Sequence, residues 1–443
     1  MIQSILTFNG PSDNDIQVWF EPCNTSGAAL GDVVVPATFP GISSVSAAQP
    51  IISAPPTPPA PVPWYFENLD GDQGSVGGHN YDLGQSPAAV EYNSTLQTFY
   101  NDASNGYLRH AWSDSSGWHS EVLDGAGGAN GRLTANLGGT PTVTVYNNTL
   151  QVFYYDVTHH GLRHAWSDST GWHFESLDGS DSTIAGHYSS DVGKTPNVVA
   201  TPDGRLQVVY YDQTNGNLRH AYSDATGWHF ENLDGDPGSL GHLDSNLGTD
   251  PTSAVFNGRL HLFYRDIGNG NLRHAWDDPT TGWHFETLDG DAGSTAGLNA
   301  DTGSTPTAVV YGSTLQLFYY DNTNGNLRHA WDDGTVGWHF ENLEGDSGSV
   351  SNYVSTVGLM PTATVLNGNL QVFYYEAQDG GRLRHAFNDA TGWHFENLDG
   401  LGGQTGRYIA NEGLDPVAIP YGGHVQLLYY DGTNGNLRHV WSQ

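Results

Sequence analysis

Basic residues are almost missing from this chain. One lysine, Lys194, and thirteen arginines stand against 48 acidic residues, giving a formal charge of −34. So acidic a surface repels phosphate backbones, which argues against nucleic acid and anionic membrane as partners. A neutral or cationic ligand is left. Cysteine is equally scarce: Cys23 stands alone, makes no internal disulfide, and leaves the compartment unfixed. No stretch approaches the ~20 apolar residues of a membrane helix. The opening "MIQSILTFNGPSDND" lacks the basic and apolar regions of a secretion signal. Runs of helical period are missing too.

What is present is glycine (57 residues), aromatic side chains (12%) and repetition. The Arg of "LRHAW" stands at 109, 163, 219, 273, 328, 384 and 438, a period of 54 to 56 residues. A proline opens each unit, at 87, 141, 196, 251, 306, 361 and 416. Within one unit, "PTAVVYG" (306–312), "TLQLFYYD" (314–321), "NLRHAWDD" (326–333) and "GWHFENLEG" (337–345) read as four antiparallel strands. The Asn-Gly between the second and third is a two-residue hairpin signal. Four-stranded sheets repeated at this period predict an all-β propeller.

The ends of the pattern predict how the ring closes. "WYFENLDG" (64–71) is a fourth strand with no third strand before it, and "NLRHVW" (436–441) is a third strand with no fourth after it. Pairing them yields seven blades over 64–443 and removes the free sheet edges. Residues 1–46 stand outside the repeat as a small β segment that is expected to oligomerise or dock on a partner. Residues 47–63, "AAQPIISAPPTPPAPVP", read as a semi-rigid linker.

Pairing the third and fourth strands through their turn sets Arg328 opposite Glu341 and Trp331 opposite Trp338, with the Arg–Glu pair recurring in every unit. Its bland reading is a cross-strand ion pair of up to ~1 kcal/mol. On the other face His110, His164, His220, His274, His329, His385 and His439 recur. Equivalent histidines on separate blades do not converge, so metal ligation ranks below a structural or sugar-contacting role. The loops between units begin "DGDxGS" in several copies. Asp70 with Asp72, Asp234 with Asp236, and Asp289 with Asp291 offer oxygen ligands for Ca²⁺, against a solvated acidic turn as the plainer reading. Further along each loop stand unequal residues, His79, Arg132, His187, His242 and Arg407. If they roof the grooves between blades, the grooves differ in affinity.

The stretch "LQVFYYDVTHHGLRHAWSDSTGWHF" (150–174) resembles the repeat of the fungal fucose lectins. The order of aromatic strand, Asn-Gly turn, L-R-x-x-W and G-W is also similar to the seven-bladed PLL-like bacterial lectins and to tectonin-type repeats. The likeness spans about 380 residues. It implies a propeller with sugar sites between neighbouring blades, where an Arg, a Glu and aromatics of the next blade hold the ring. The Arg position falls on Gln97, Gln151, Gln207, His261, Gln316, Gln371 and Gln426, and the Glu position on the seven histidines. The aromatics fall on Trp112, Trp166, Tyr222, Trp276, Trp331, Phe387 and Trp441, and on Trp118, Trp172, Trp228, Trp283, Trp338, Trp393 and Trp64. Both charged contacts are replaced, so the resemblance implies a neutral sugar, fucose or another.

Packing alone also produces a sevenfold repeat of buried rings, and it stands as the competing account of these positions. Catalytic residues normally break repeat symmetry, and no acid–base constellation does so here. The reading is therefore a multivalent lectin without enzymatic activity. A protein-binding scaffold and a sialidase-like glycosidase are the alternatives.

Overall fold

The computed structural model describes residues 63–378, 380–400 and 411–443. The strands expected in 1–46, the linker before Pro63, and Arg407 lie outside the described residues. The rest is a seven-bladed β-propeller without a described helix. Numbered in chain order, blades 1 to 6 span Leu83–Asp124, Gly139–Asp178, Val192–Asp234, Leu247–Asp289, Thr302–Glu344 and Val357–Asp399, and blade 7 joins Glu412–Ser442 to Trp64–Asp70. In blade 5 the strands are Thr302–Tyr311, Thr314–Asp321, Asn326–Asp332 and Trp338–Glu344, paired antiparallel in that order. The first strand of each blade packs on the first strand of the next, and that of blade 7 packs on that of blade 1. The second and third strands are buried on both faces because a blade lies on either side. "TLQLFYYD" is therefore apolar nearly throughout rather than alternating.

Closure occurs through the expected ends. Trp64–Asp70 pairs with Asn436–Ser442, with Trp64 opposite Ser442 and Glu67 opposite His439. The Gln443 N–H donates to the Pro63 carbonyl at 3.0 Å.

The turn between the second and third strands is wider than the expected two residues. Asp321 pairs with Asn326, so four residues connect them. The buried Asp321 carboxylate accepts the N–H groups of Thr323 and Asn324 (both 3.0 Å) and the Asn324 side-chain amide (2.7 Å). That cap favours the longer turn over a bare Asn-Gly hairpin.

Each first strand bends at the residue before its proline. Ser86, Thr140, Thr195, Asp250, Thr305, Met360 and Asp415 all have φ between 44° and 51°, a left-handed backbone that costs about 1–2 kcal/mol for a non-glycine residue. The bend lets neighbouring blades bond around the inside of the ring. The Asp250 N–H donates to Thr195 Oγ1 (3.2 Å), the Met360 N–H to Thr305 Oγ1 (3.1 Å), and the Ser86 N–H to Asp415 Oδ2 (3.2 Å).

The expected Arg–Glu pairing is wrong by one residue. Arg328 lies opposite Asn342, His329 opposite Glu341, Trp331 opposite His339, and Trp338 opposite Asp332. A bulge between Leu327 and Arg328 sets this register, and a one-residue slip exchanges the faces. The arginines therefore turn toward the preceding blade. There each meets the last acid of that blade's fourth strand and a tyrosine of its own second strand. Arg219 contacts Asp178 at 2.9 Å, and the Tyr210 hydroxyl donates to the same oxygen at 2.6 Å. Equivalent trios are Arg163–Asp124–Tyr154, Arg273–Asp234–Tyr264, Arg328–Asp289–Tyr319, Arg384–Glu344–Tyr374 and Arg438–Asp399–Tyr429. These six tyrosines and Tyr100, their counterpart in the first blade, are fully buried, and burial raises their hydroxyls far above the ordinary range.

Two blades depart from this pattern. In blade 1 the Arg109–Asp70 contact opens to 3.7 Å, and His79 takes the carboxylate at 2.9 Å. A cavity of about 80 Å³ lies beside it, lined by Asp70, Tyr100, Ala111 and Ser120. Ser120 stands where blade 2 carries Phe174. In blade 7, Glu412 occupies a fully buried slot that holds Leu83 in blade 1 and Val192 in blade 3. Burial, and then Asp431 and Asp399, push its carboxyl up to about 9.

Candidate functional site

The histidines of the third strand stand at the wall of each gap between blades. His164 is 5% exposed. Its Nδ1–H donates to Glu175 Oε1 at 2.9 Å, and its Nε2 lies 2.7 Å from Gln151 Oε1. The Gln151 amide in turn donates to Thr149 Oγ1 at 2.6 Å. The same set joins His110 to Glu121 and Gln97, His220 to Glu231 and Gln207, His329 to Glu341 and Gln316, His385 to Glu396 and Gln371, and His439 to Glu67 and Gln426. In blade 4, His274 keeps Glu286 but meets His261 at 3.0 Å. Burial, then His274 and Arg259, push His261 down to about 3. Burial also holds His110, His164, His274 and His329 below their ordinary range, while the glutamate partners work against it.

Rings flank each histidine. Phe153, His164, Trp166 and His173 stack in series, with centroids 4.4, 4.9 and 5.2 Å apart. Trp112, Tyr222, Trp276, Trp331, Phe387 and Trp441 occupy the same place on their own histidines. The fourth-strand tryptophan of the next blade crosses the gap edge-on. Trp172 meets His110, Trp228 meets His164, Trp283 meets His220, Trp338 meets His274, Trp393 meets His329, Trp64 meets His385 and Trp118 meets His439, all at 5.3–5.6 Å. Trp64 Nε1–H also donates to Glu396 and Trp118 Nε1–H to Glu67, at 3.2 and 3.1 Å.

The structure thus brings His and the two kinds of aromatic residue together in every gap, with Gln in six and His261 in the seventh, and the glutamine and histidine nitrogens are largely engaged by protein. The half-buried glutamates are the members that the sequence reading missed. Glu67, Glu121, Glu175, Glu231, Glu286, Glu341 and Glu396 had been set opposite arginine. Only the one-residue register places them beside histidine, where their side chains are 29–35% exposed.

Between blades 7 and 1 lies a cleft of about 460 Å³. Tyr65, Trp118 and Trp441 line it, with Glu67, Gln426, His439 and His424. A volume of this order, walled by rings and a few polar groups, is what a small-molecule site requires.

The unequal loop residues have separate fates. His79 bonds Asp70 and Arg109. Arg132 lies over Phe174 at 5.3 Å, on the next blade. His187 and His242 turn back on their own loops, donating to the carbonyls of Ile184 and Pro237. A neighbouring position reaches further: Tyr188 lies 3.6 Å over the Arg219 guanidinium, and Tyr353 lies 4.3 Å over that of Arg384.

The paired aspartates, weighed as Ca²⁺ ligands, belong to different hydrogen-bond networks. Asp70, Asp234 and Asp289 are committed to the arginine trios. Asp72, Asp236 and Asp291 accept side-chain amides of Asn68, Asn217 and Asn271. Each pair is split between two hydrogen-bond networks. No group of three metal-ligating side chains occurs among the described residues.

No protein-family model and no curated protein sequence matches this chain. Among solved structures it is similar to the fucose-specific lectin of Aleuria aurantia, at 16% identity and TM-score 0.43, over 71% of this chain and 95% of that one. A protein of unknown function from Dyadobacter fermentans aligns at 14% identity and TM-score 0.46, over 72% and 96%. An α-L-arabinanase of Penicillium chrysogenum, solved with arabinobiose, aligns at 14% and 0.36, over 52% and 73%. The propeller assignment rests on the strand pairing and ring closure described above.

Proposed function

We propose that this propeller is a multivalent lectin that binds neutral saccharides in the gaps between its blades. The cleft between blades 7 and 1 carries the reading. Indole and phenol faces suit the C–H side of a pyranose. The part-exposed Glu67 carboxylate supplies acceptors for ring hydroxyls, with Gln426 and His439 holding it from behind. A carboxylate in the wall, on a chain of formal charge −34, disfavours anionic sugars. Several gaps engaging one glycosylated surface raise avidity by ~10²–10⁴ over a single site. Binding fits the sevenfold repetition better than catalysis, which needs one asymmetric constellation.

Agglutination of erythrocytes that is inhibited by free neutral saccharides is the expected result. Agglutination that no saccharide inhibits would favour a protein-binding scaffold. Turnover of a chromogenic glycoside would make the protein an enzyme.

A further inference from the structure

The cleft between blades 7 and 1 differs from its six counterparts for a reason built into the closure. In the other blades a hairpin turn joins the third and fourth strands and holds the outer histidine. In blade 2, Thr170 donates through its N–H (2.7 Å) and hydroxyl (2.6 Å) to Asp168, and His173 is tied to both residues. Blade 7 is assembled from two distant parts of the chain, so no turn joins Ser442 to Trp64. The outer histidine is replaced as well. Tyr65 stands in its place, 44% exposed and stacked on Trp441 at 5.5 Å and 21°. A third change is His424, where blades 1, 2 and 5 carry Thr95, Thr149 and Thr314. His424 lines the cleft, and its Nδ1 is buried without a hydrogen-bond partner. Such a buried nitrogen calls for a ligand or solvent group. The Tyr421 hydroxyl donates to the Ser94 carbonyl of blade 1 at 2.9 Å, tying the two blades together at the cleft.

We infer that this cleft is a distinct, tighter site for a neutral two-ring saccharide, with one ring on the Tyr65–Trp441 stack and the other toward Trp118 and His424. The inference rests on the carbohydrate reading and adds to it that the seven gaps are unequal. The closure seam is the primary site, and the turn-closed gaps are weaker single-ring sites.

The test uses the full chain in isothermal titration with lactose, maltose and N,N′-diacetylchitobiose, after a printed array of neutral and sialylated mono- and disaccharides. The expected wild-type isotherm has one tight site per chain and a weaker class. The double variant Tyr65→His with His424→Thr gives blade 7 the residues of its neighbours. It should lose the tight phase, with affinity falling about tenfold, and keep the weak class. Each single variant, at a solvent-accessible position, gives a partial loss if the double variant proves unstable. Seven equal sites in the wild type, or a tight phase that survives the variants, would overturn the inference and leave the lectin reading standing. A wild type that binds no saccharide on the array would overturn both.

Discussion

Two networks of polar groups repeat around the ring, the arginine trios between blades and the histidine sets within them, and they are built on opposite terms. The arginine trios are sealed: the acid, the tyrosine and most of the guanidinium are out of water. The histidine sets are open on one side: the ring is buried, but its glutamate is about one-third exposed beside an aromatic surface. Both repeat with equal regularity. Regularity therefore does not separate a structural network from one available to a ligand. Exposure of the charged member does.

The difference should appear first in stability. Asp178→Ala leaves Arg219 charged and buried, and should cost about 3–5 kcal/mol in urea unfolding. A loss below about 1 kcal/mol would mean that the trio is not the structural layer.

Glu412 sharpens the same side of the comparison, because it adds a further carboxylate to the sealed layer of blade 7. Its folded pKa of about 9 lies above the ordinary 4.5. Stability is thus full below the ordinary value and is lost as pH rises toward about 9. Glu412→Leu should stabilise the protein by about 1–4 kcal/mol at pH 8. The gain should shrink toward pH 4.5 in melts run across that range. A gain independent of pH would assign it to packing alone.

Ser120→Phe restores the ring that blade 2 carries beside its trio. Filling the cavity of about 80 Å³ should raise stability by about 1–2 kcal/mol. An unchanged midpoint would show that the wider Arg109–Asp70 contact has another origin.

The smallest stability effect belongs to the open network. Glu231→Gln should cost about 1 kcal/mol or less, as expected of a partly exposed pair, yet weaken saccharide binding. A large loss of stability with unchanged binding would reverse the roles assigned to the two networks.

Much of this was legible beforehand. The period, the four strands of a unit and the displaced strand at 64–71 lie in the order of the residues, and pairing that strand with the last one requires no coordinates. The site was legible as residue types but not as partners. "LRH" presents Arg and His side by side, and a bulge after the leucine decides which of them meets the glutamate and which meets the preceding blade. No local pattern encodes that bulge, because it depends on the hydrogen bonds of a strand pair already packed in the ring.

The chain's own pattern determined the blade count, the closure and the positions of the rings, since these follow from local alternation and from matching an unpaired strand to an unpaired edge. Only the folded ring decided that arginine is sealed, that glutamate is exposed, and that Tyr65, Trp441 and Trp118 line one cleft at the closure seam. Those outcomes depend on which face turns toward the neighbouring blade, and a shift of one residue in register exchanges the faces.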